Sequence, residues 1–132
     1  MSIDTIGNLL TSIRNGLMAS RPFVVVPSSH LKLEIAKILK QEGFIKNYEI
    51  VDDAETVKKA LKIFLKYVDG ESAIHEITRY STPGRRRYAR AGAIKPVIGG
   101  LGLSILTTNR GVMSHKSANA LGVGGEIICT VW

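Results

Sequence analysis

The stretch LGLSILTTNRGVMSHKSANALGVGGEIICTVW, residues 101–132, decides the reading of the chain. It spells strand, tight loop, short helix, strand. Leu103, Ile105 and Thr107 alternate with Ser104, Leu106 and Thr108, the period of a half-buried strand. Asn109, Arg110 and Gly111 turn the chain, because Asn and Gly tolerate the left-handed backbone a tight turn can need. Ser114 is a candidate cap for a short helix from His115 to Leu121, and Gly122 a candidate stop. Gly124 and Gly125 lead into a last strand, Glu126 to Trp132. The product is a loop of small polar side chains, Thr107-Thr108-Asn109-Arg110-Gly111, on a rigid frame. Small side chains let a large partner come close to the backbone.

Outward from this stretch, the charge is uneven. The 132 residues carry a net charge of +7. Residues 1–69 hold ten basic and eight acidic side chains, and residues 70–132 hold eight and three, so most of the excess lies in the second half. No acid occurs between Glu76 and Glu126, and all eight bases of that half fall inside the gap. A concentrated positive field attracts polyanions. Arg85, Arg86, Arg87 and Arg90 supply forks that suit phosphate, next to Tyr88. Read as a strand from Arg85 to Ala89, alternation puts Arg85 and Arg87 on one face and Arg86 and Tyr88 on the other. Aromatics are only 6% of the chain, and no pair on a strand suggests a base-stacking platform. Small hydroxyls and an amide on a tight loop suit the shallow minor groove of a folded RNA better. Glu126 is the one acid near this group. It can accept from a base amino group or a backbone amide, or it can simply cap the Gly124–Gly125 turn.

The first half reads as helix, strand, helix, strand, strand. Ile6, Leu9, Leu10, Ile13 and Leu17 recur at helical spacing, with Asn15-Gly16 marking the helix end. Phe23 to Val26 lies between Pro22 and Pro27, which suggests an edge strand. Ser28 or Ser29 caps a second helix that buries Leu31, Ile35, Ile38 and Leu39 and closes at Gly43. Lys32 lies in its first turn, where a base opposes the helix dipole. It either faces a phosphate or is solvated. Phe44 to Val51 and Val57 to Tyr67 form a hairpin, with Leu61, Ile63, Leu65 and Tyr67 on one face. Two helices then cover one side of a small sheet. The boundary is expected in Val68-Asp69-Gly70-Glu71-Ser72, dividing an N-terminal α/β domain, 1–68, from a β-rich domain, 69–132. In that second domain Ile74 to Tyr80 reads as a strand, Ser81-Thr82-Pro83-Gly84 as a turn, and Ala91 to Ile98 as irregular. The fold class is α+β: an α-β-α-β-β unit followed by a β-rich unit with one short helix.

Catalytic chemistry is mostly missing. The glycines at 99–102 and 122–125 do not complete G-x-G-x-x-G, since Ile105 and Ile127 stand at the third position, and no phosphate-cradling G-x-x-x-x-G-K-[ST] occurs. His30, His75 and His115 are far apart and no C-x-x-C is present, so no metal is expected. Cys129 lies in an apolar strand and reads as a buried, inert thiol that fits a reducing compartment. Ser114 and His115 are neighbours and do not face each other on a helix. No apolar run is long enough for a membrane helix, and the N-terminus lacks a secretory pattern. A nucleotide-dependent enzyme built on the glycine loops and a basic DNA-binding protein are the competing readings.

Several motifs together resemble one family. T-T-N-R-G-V-M at 107–113, G-G-E-I-I-C at 124–129, S-I-R-N at 12–15, E-G-F-I at 42–45 and S-T-P-G-R-R-R-Y at 81–88 are similar to the signature of bacterial small-subunit ribosomal protein eight. The family usually shows Ser-Thr-Ser where this chain has Thr107-Thr108-Asn109, and a basic residue where Asn119 stands. It commonly has Lys at Thr82 and Pro at Thr5. The resemblance implies binding to the central domain of small-subunit rRNA, a part in subunit assembly and translation, and contact with neighbouring ribosomal proteins. It implies a cytoplasmic ribosome, with an organellar one left open, and neither cofactor nor catalysis. Thr107, Thr108, Asn109 and Gly111 would then present the specific surface. Arg85, Arg86, Arg87 and Tyr88 would hold phosphates and sugars. The resemblance favours a role for Glu126 at that site. Arg14 and Asn15 either contact RNA, as it implies, or lie in solvent.

Overall fold

A computed structural model describes residues 5–52, 58–91 and 102–132. The expected irregular segment from Ala91 and the glycines at 99–100 fall almost wholly outside these. The chain folds as two compact units, Ile6–Ile74 and His75–Trp132. The hairpin over residues 67–72, where the sequence suggests a boundary, belongs to the first.

In the first unit, helix α1 (Thr5–Met18), strand β1 (Phe23–Pro27), helix α2 (His30–Gln41), and strands β2 (Ile45–Asp52) and β3 (Lys59–Leu65) follow in order. The strands form an antiparallel sheet, β1-β3-β2. β1 is an edge, as its flanking prolines require, since proline cannot donate to a ladder. Leu9, Leu10 and Ile13 of α1 and Ile35, Ala36, Ile38 and Leu39 of α2 are buried, as are Leu61, Ile63 and Leu65 of β3. This is the inward face that the strand alternation gives. Gly16 does not end α1. It is buried inside the helix, and a Cβ there would stand 2.5 Å from a Val24 methyl. The helix instead stops at Ser20, whose φ of 52° is left-handed. The Arg21 and Ser20 amides bond back to the Gly16 and Leu17 carbonyls, as in a Schellman end. Ser29 caps α2 by accepting from the Lys32 amide, and Gly43, at φ 81°, closes it. A short hairpin, β4 (Tyr67–Val68) and β5 (Glu71–Ser72), follows. It turns on Asp69 and Gly70, both at positive φ, as a two-residue hairpin turn of this hand demands.

The second unit holds β6 (Ile77–Arg79), β7 (Tyr88–Ala89), β8 (Leu103–Thr108), β9 (Gly111–Ser114), α3 (His115–Leu121) and β10 (Gly125–Val131). The sheet runs β6-β10-β8-β9, with β7 also paired to β10, all antiparallel. Leu103, Ile105, Leu106, Ile128 and Val131 are fully buried. Leu106, Met113, Ala118 and Ile127 form a core cluster with Ala89 and Val123 packed on it, so α3 covers one face of the sheet. Ser114 caps α3 through the Ser117 amide and Gly122 ends it at φ 68°. His115 is buried and its Nδ1 accepts from the Ser104 amide at 3.1 Å, tying α3 to β8.

Gly111–Ser114 is a strand, β9, between the tight loop and the helix, where the residues alone suggest none. Only Tyr88–Ala89 of the basic stretch is a strand, so Arg85 to Arg87 do not alternate across a sheet. Thr82 and Arg85 instead close a tight turn with a reciprocal pair of 3.1 Å backbone bonds.

Candidate nucleic-acid interface

Three strands meet at the start of β10. Glu126 lies opposite Thr107 on β8 and opposite Tyr88 on β7. Directly opposed residues share a face of the sheet. Thr107, Glu126 and Tyr88 therefore form a row across three strands on one face of the sheet. Gly125, one residue earlier, is opposed by Thr108 and Ala89 and lies on the α3 face. The glycines make this close meeting possible. A Cβ on Gly125 would stand 2.2 Å from the Thr107 carbonyl oxygen, and one on Gly124 2.3 Å from the Ala89 carbonyl oxygen. Both contacts are with backbone, so no side chain can give way. These glycines are neither a phosphate cradle nor a free turn; they are where three backbones touch.

Glu126 is only slightly exposed and has two donors. Ser81 Oγ and Arg86 Nη1 both reach its Oε2, the latter at 3.0 Å. Burial alone would raise the carboxyl. The hydrogen bonds from Ser81 and Arg86, with the charges of Arg86 and Arg79, outweigh it and hold the group below the ordinary glutamate value. Glu126 is thus an ionised acceptor inside a basic region. The turn-capping alternative is not what the contacts describe, since its partners come from residues 81 and 86.

The basic segment is shaped around this acid. Arg87 lays its guanidinium over the Tyr80 ring at 4.8 Å and gives its amide to Ser81 Oγ at 3.1 Å. Its carbonyl accepts from the Ile127 amide at 3.0 Å. Arg85 is exposed on the tight turn, and Tyr88 is 70% exposed. The three arginines therefore do different things: Arg85 faces solvent, Arg86 pairs with Glu126, Arg87 braces the segment. Residue type alone does not tell these three arginines apart, nor does it single out Ser81, Tyr80 or Arg79. No spacing rule could have paired Ser81 with a carboxylate 45 positions away.

The β8–β9 loop also divides. Thr107 lies on the Glu126 face, half-buried, and among the described residues its hydroxyl takes no partner. Thr108 lies on the other face. Its hydroxyl donates to the Gly111 carbonyl at 2.9 Å and accepts from the Arg110 amide at 3.1 Å. Asn109 and Arg110 form the exposed tip, and Gly111 supplies the left-handed φ of 108°.

The remaining candidates belong to the first unit. Arg14 and Asn15 are exposed near the end of α1. Lys32 is neither solvated nor outward-facing: it is buried, and Nζ donates to the Pro27 carbonyl at 2.9 Å. Desolvation lowers its pKa. Its ammonium ties α2 to the end of β1.

Cys129 is fully buried, and burial pushes its thiol up to about 12. No group of His, Cys, Asp and Glu among the described residues is arranged to hold a metal ion. No helix among them is long and apolar enough to cross a membrane.

Comparison with known proteins matches the sequence to one family. The family model described as ribosomal protein S8 matches residues 4–132. The small ribosomal subunit protein uS8 of Pseudomonas fluorescens is 50% identical over 129 residues, covering 98% of this chain and 97% of that protein. The uS8 proteins of Pseudomonas savastanoi pv. phaseolicola and Marinobacter nauticus are 47% and 46% identical with the same coverage. The chain belongs to the ribosomal protein S8 family. It is therefore a ribosomal protein and not an enzyme, and the nucleotide-dependent alternative falls away.

Proposed function

We propose that this protein is a constituent of the small ribosomal subunit that binds folded rRNA, in the central domain of the small-subunit RNA, through the β10 face of its second unit. The observation that carries the reading is the meeting of Thr107, Glu126 and Tyr88 on one face, inside a region whose bases include Arg85, Arg90 and Arg110. The chemistry fits RNA with structure. Phosphate contacts by arginine position the complex, and hydroxyls, a phenol and a carboxylate on a firm sheet read sugar and base edges. Asn109 and Gly111 on the exposed loop let the sugar–phosphate backbone approach. Arg14 and Asn15 are candidates for a second contact. Lys32 is left out, because its ammonium is already bonded. Partners of this kind imply a role in subunit assembly beside neighbouring ribosomal proteins, in the bacterial cytoplasm.

The test is binding to a central-domain rRNA fragment, with unrelated structured RNA and duplex DNA as competitors, over a range of salt. The account expects preference for the rRNA fragment. It also expects log affinity to fall with log salt by about 0.7–0.9 per phosphate contact. Equal affinity for all three nucleic acids would overturn it.

A further inference from the structure

Ser81 is the most deeply buried polar residue of the second unit, with no exposed surface. A serine hydroxyl has one proton and two lone pairs. Here one lone pair accepts from the Arg87 amide, and the proton goes to Glu126 Oε2. Arg86 bonds the same oxygen. Among the described residues Oε1 takes no partner. One carboxylate oxygen is thus held from two sides while the other is left open. The holding segment is itself firm. Its Thr82–Arg85 turn is closed by two backbone bonds, its Arg87 is stacked on Tyr80, and its Arg87 carbonyl is bonded to β10.

We infer that Ser81 is a positioning residue of the interface: it fixes Glu126 so that Oε1 alone is presented, between Thr107 and Tyr88, to accept from a base amino or ring N–H group of the RNA. The inference rests on the proposed reading of this face as the rRNA site. The chemistry narrows what that oxygen can meet. An ionised carboxylate repels phosphate and accepts only from donors, so it fits the amino groups of cytosine, adenine or guanine, the ring N–H of guanine or uracil, or a ribose 2′-hydroxyl. Bare acceptors such as uracil O4 or guanine O6 are rejected. Tyr88 and Arg85 supply contact area and positive charge beside it. In this arrangement Arg86 offsets the charge on Oε2, so the carboxylate can sit against a polyanion while Oε1 keeps its acceptor capacity.

The test uses the full chain and a central-domain rRNA fragment, with three readouts. These are affinity for the fragment, affinity for an unrelated structured RNA, and titration of the Glu126 carboxyl by carbon-13 NMR. Glu126→Gln keeps the shape but, with its amide oxygen turned to Ser81 and Arg86, presents an NH2 donor outward. It should weaken fragment binding. Ser81→Ala should raise the Glu126 pKa and weaken fragment binding about 5–150-fold, the range for one lost desolvated hydrogen bond. Unrelated RNA should bind as before. The double variant should bind no more weakly than Glu126→Gln alone, because Ser81 acts through Glu126. If Ser81→Ala melts too low to assay, Ser81→Cys, similar in size and a weaker donor, carries the same readouts. Additive losses, or an unmoved Glu126 titration with unchanged affinity, overturn the positioning role while leaving the rRNA reading intact. Unchanged fragment binding by Glu126→Gln overturns the assignment of Glu126 itself, and the positioning role with it.

Discussion

The Thr108 hydroxyl donates to the Gly111 carbonyl, 2.9 Å away across the β8–β9 loop. Its single proton is therefore spent inside the loop, and one lone pair is taken by the Arg110 amide. The Asn109–Arg110 tip is held in shape by this residue. Thr108→Val should accordingly lower the melting temperature, since it strips a donor and an acceptor from the turn at a cost of about 1–3 kcal/mol. The ratio of specific to non-specific RNA affinity should stay the same. A changed ratio with unchanged stability would mean that Thr108 reaches the RNA after all.

Gly125 offers a test of how the interface is assembled. A Cβ there would stand 2.2 Å from the Thr107 carbonyl oxygen, a distance that real contacts do not adopt. Gly125→Ala must push β8 away from β10, moving Thr107 relative to Glu126. We expect a loss of stability and of rRNA binding together. Full binding with wild-type melting would show that the strand meeting is not needed.

The Glu126 carboxyl is held below its ordinary value. Its partners stabilise the folded state fully above the value the group has in the unfolded chain. That contribution is lost as pH falls through the lowered folded value. Glu126→Gln should remove this part of the acid sensitivity. Melting temperatures followed downward through the acidic range would check it: a curve parallel to wild type would contradict the assigned contacts.

Burial pushes the Cys129 thiol up to about 12, so it stays protonated and shielded at neutral pH. The native protein should therefore leave a thiol-specific reagent unreacted until it unfolds. Reaction of the folded protein at the rate of a free thiol would contradict the burial.

Much of the fold was legible in the residues, and the reasons differ by element. Leu61, Ile63 and Leu65 announced their inward face because a strand alternates with period two and this one packs against helices on one side only. Ser29, Gly43, Ser114 and Gly122 announced helix ends because each end leaves backbone groups that these residues satisfy. Gly16 misled because a glycine that makes room for Val24 looks the same in sequence as one that ends a helix. Val68-Asp69-Gly70-Glu71-Ser72 has the turn residues expected of a boundary, and Asp69 and Gly70 form the turn of a hairpin within it.

The site was legible in its members more than in their roles. Thr107, Tyr88 and Glu126 stood out by type, but their meeting depends on register between three strands that are distant in sequence. Arg86 and Arg87 look alike as arginines; one is committed to Glu126 and the other to Tyr80 and the segment's own backbone. Lys32 looked like a cation facing a phosphate because its position opposes the helix dipole. It is instead buried, and its ammonium donates to the Pro27 carbonyl, a contact that no local pattern encodes.

Thr107 carries the most direct test. Thr107→Val keeps the β-branch and size while deleting the hydroxyl of the residue that opposes Glu126 on β8. Dissociation constants for a central-domain rRNA fragment and for an unrelated structured RNA, measured at one salt concentration, give the specificity ratio. The account predicts that Thr107→Val lowers that ratio by about 5–150-fold, the scale of one lost desolvated hydrogen bond, with the melting temperature nearly unchanged. A ratio equal to wild type in this variant would contradict recognition through this face.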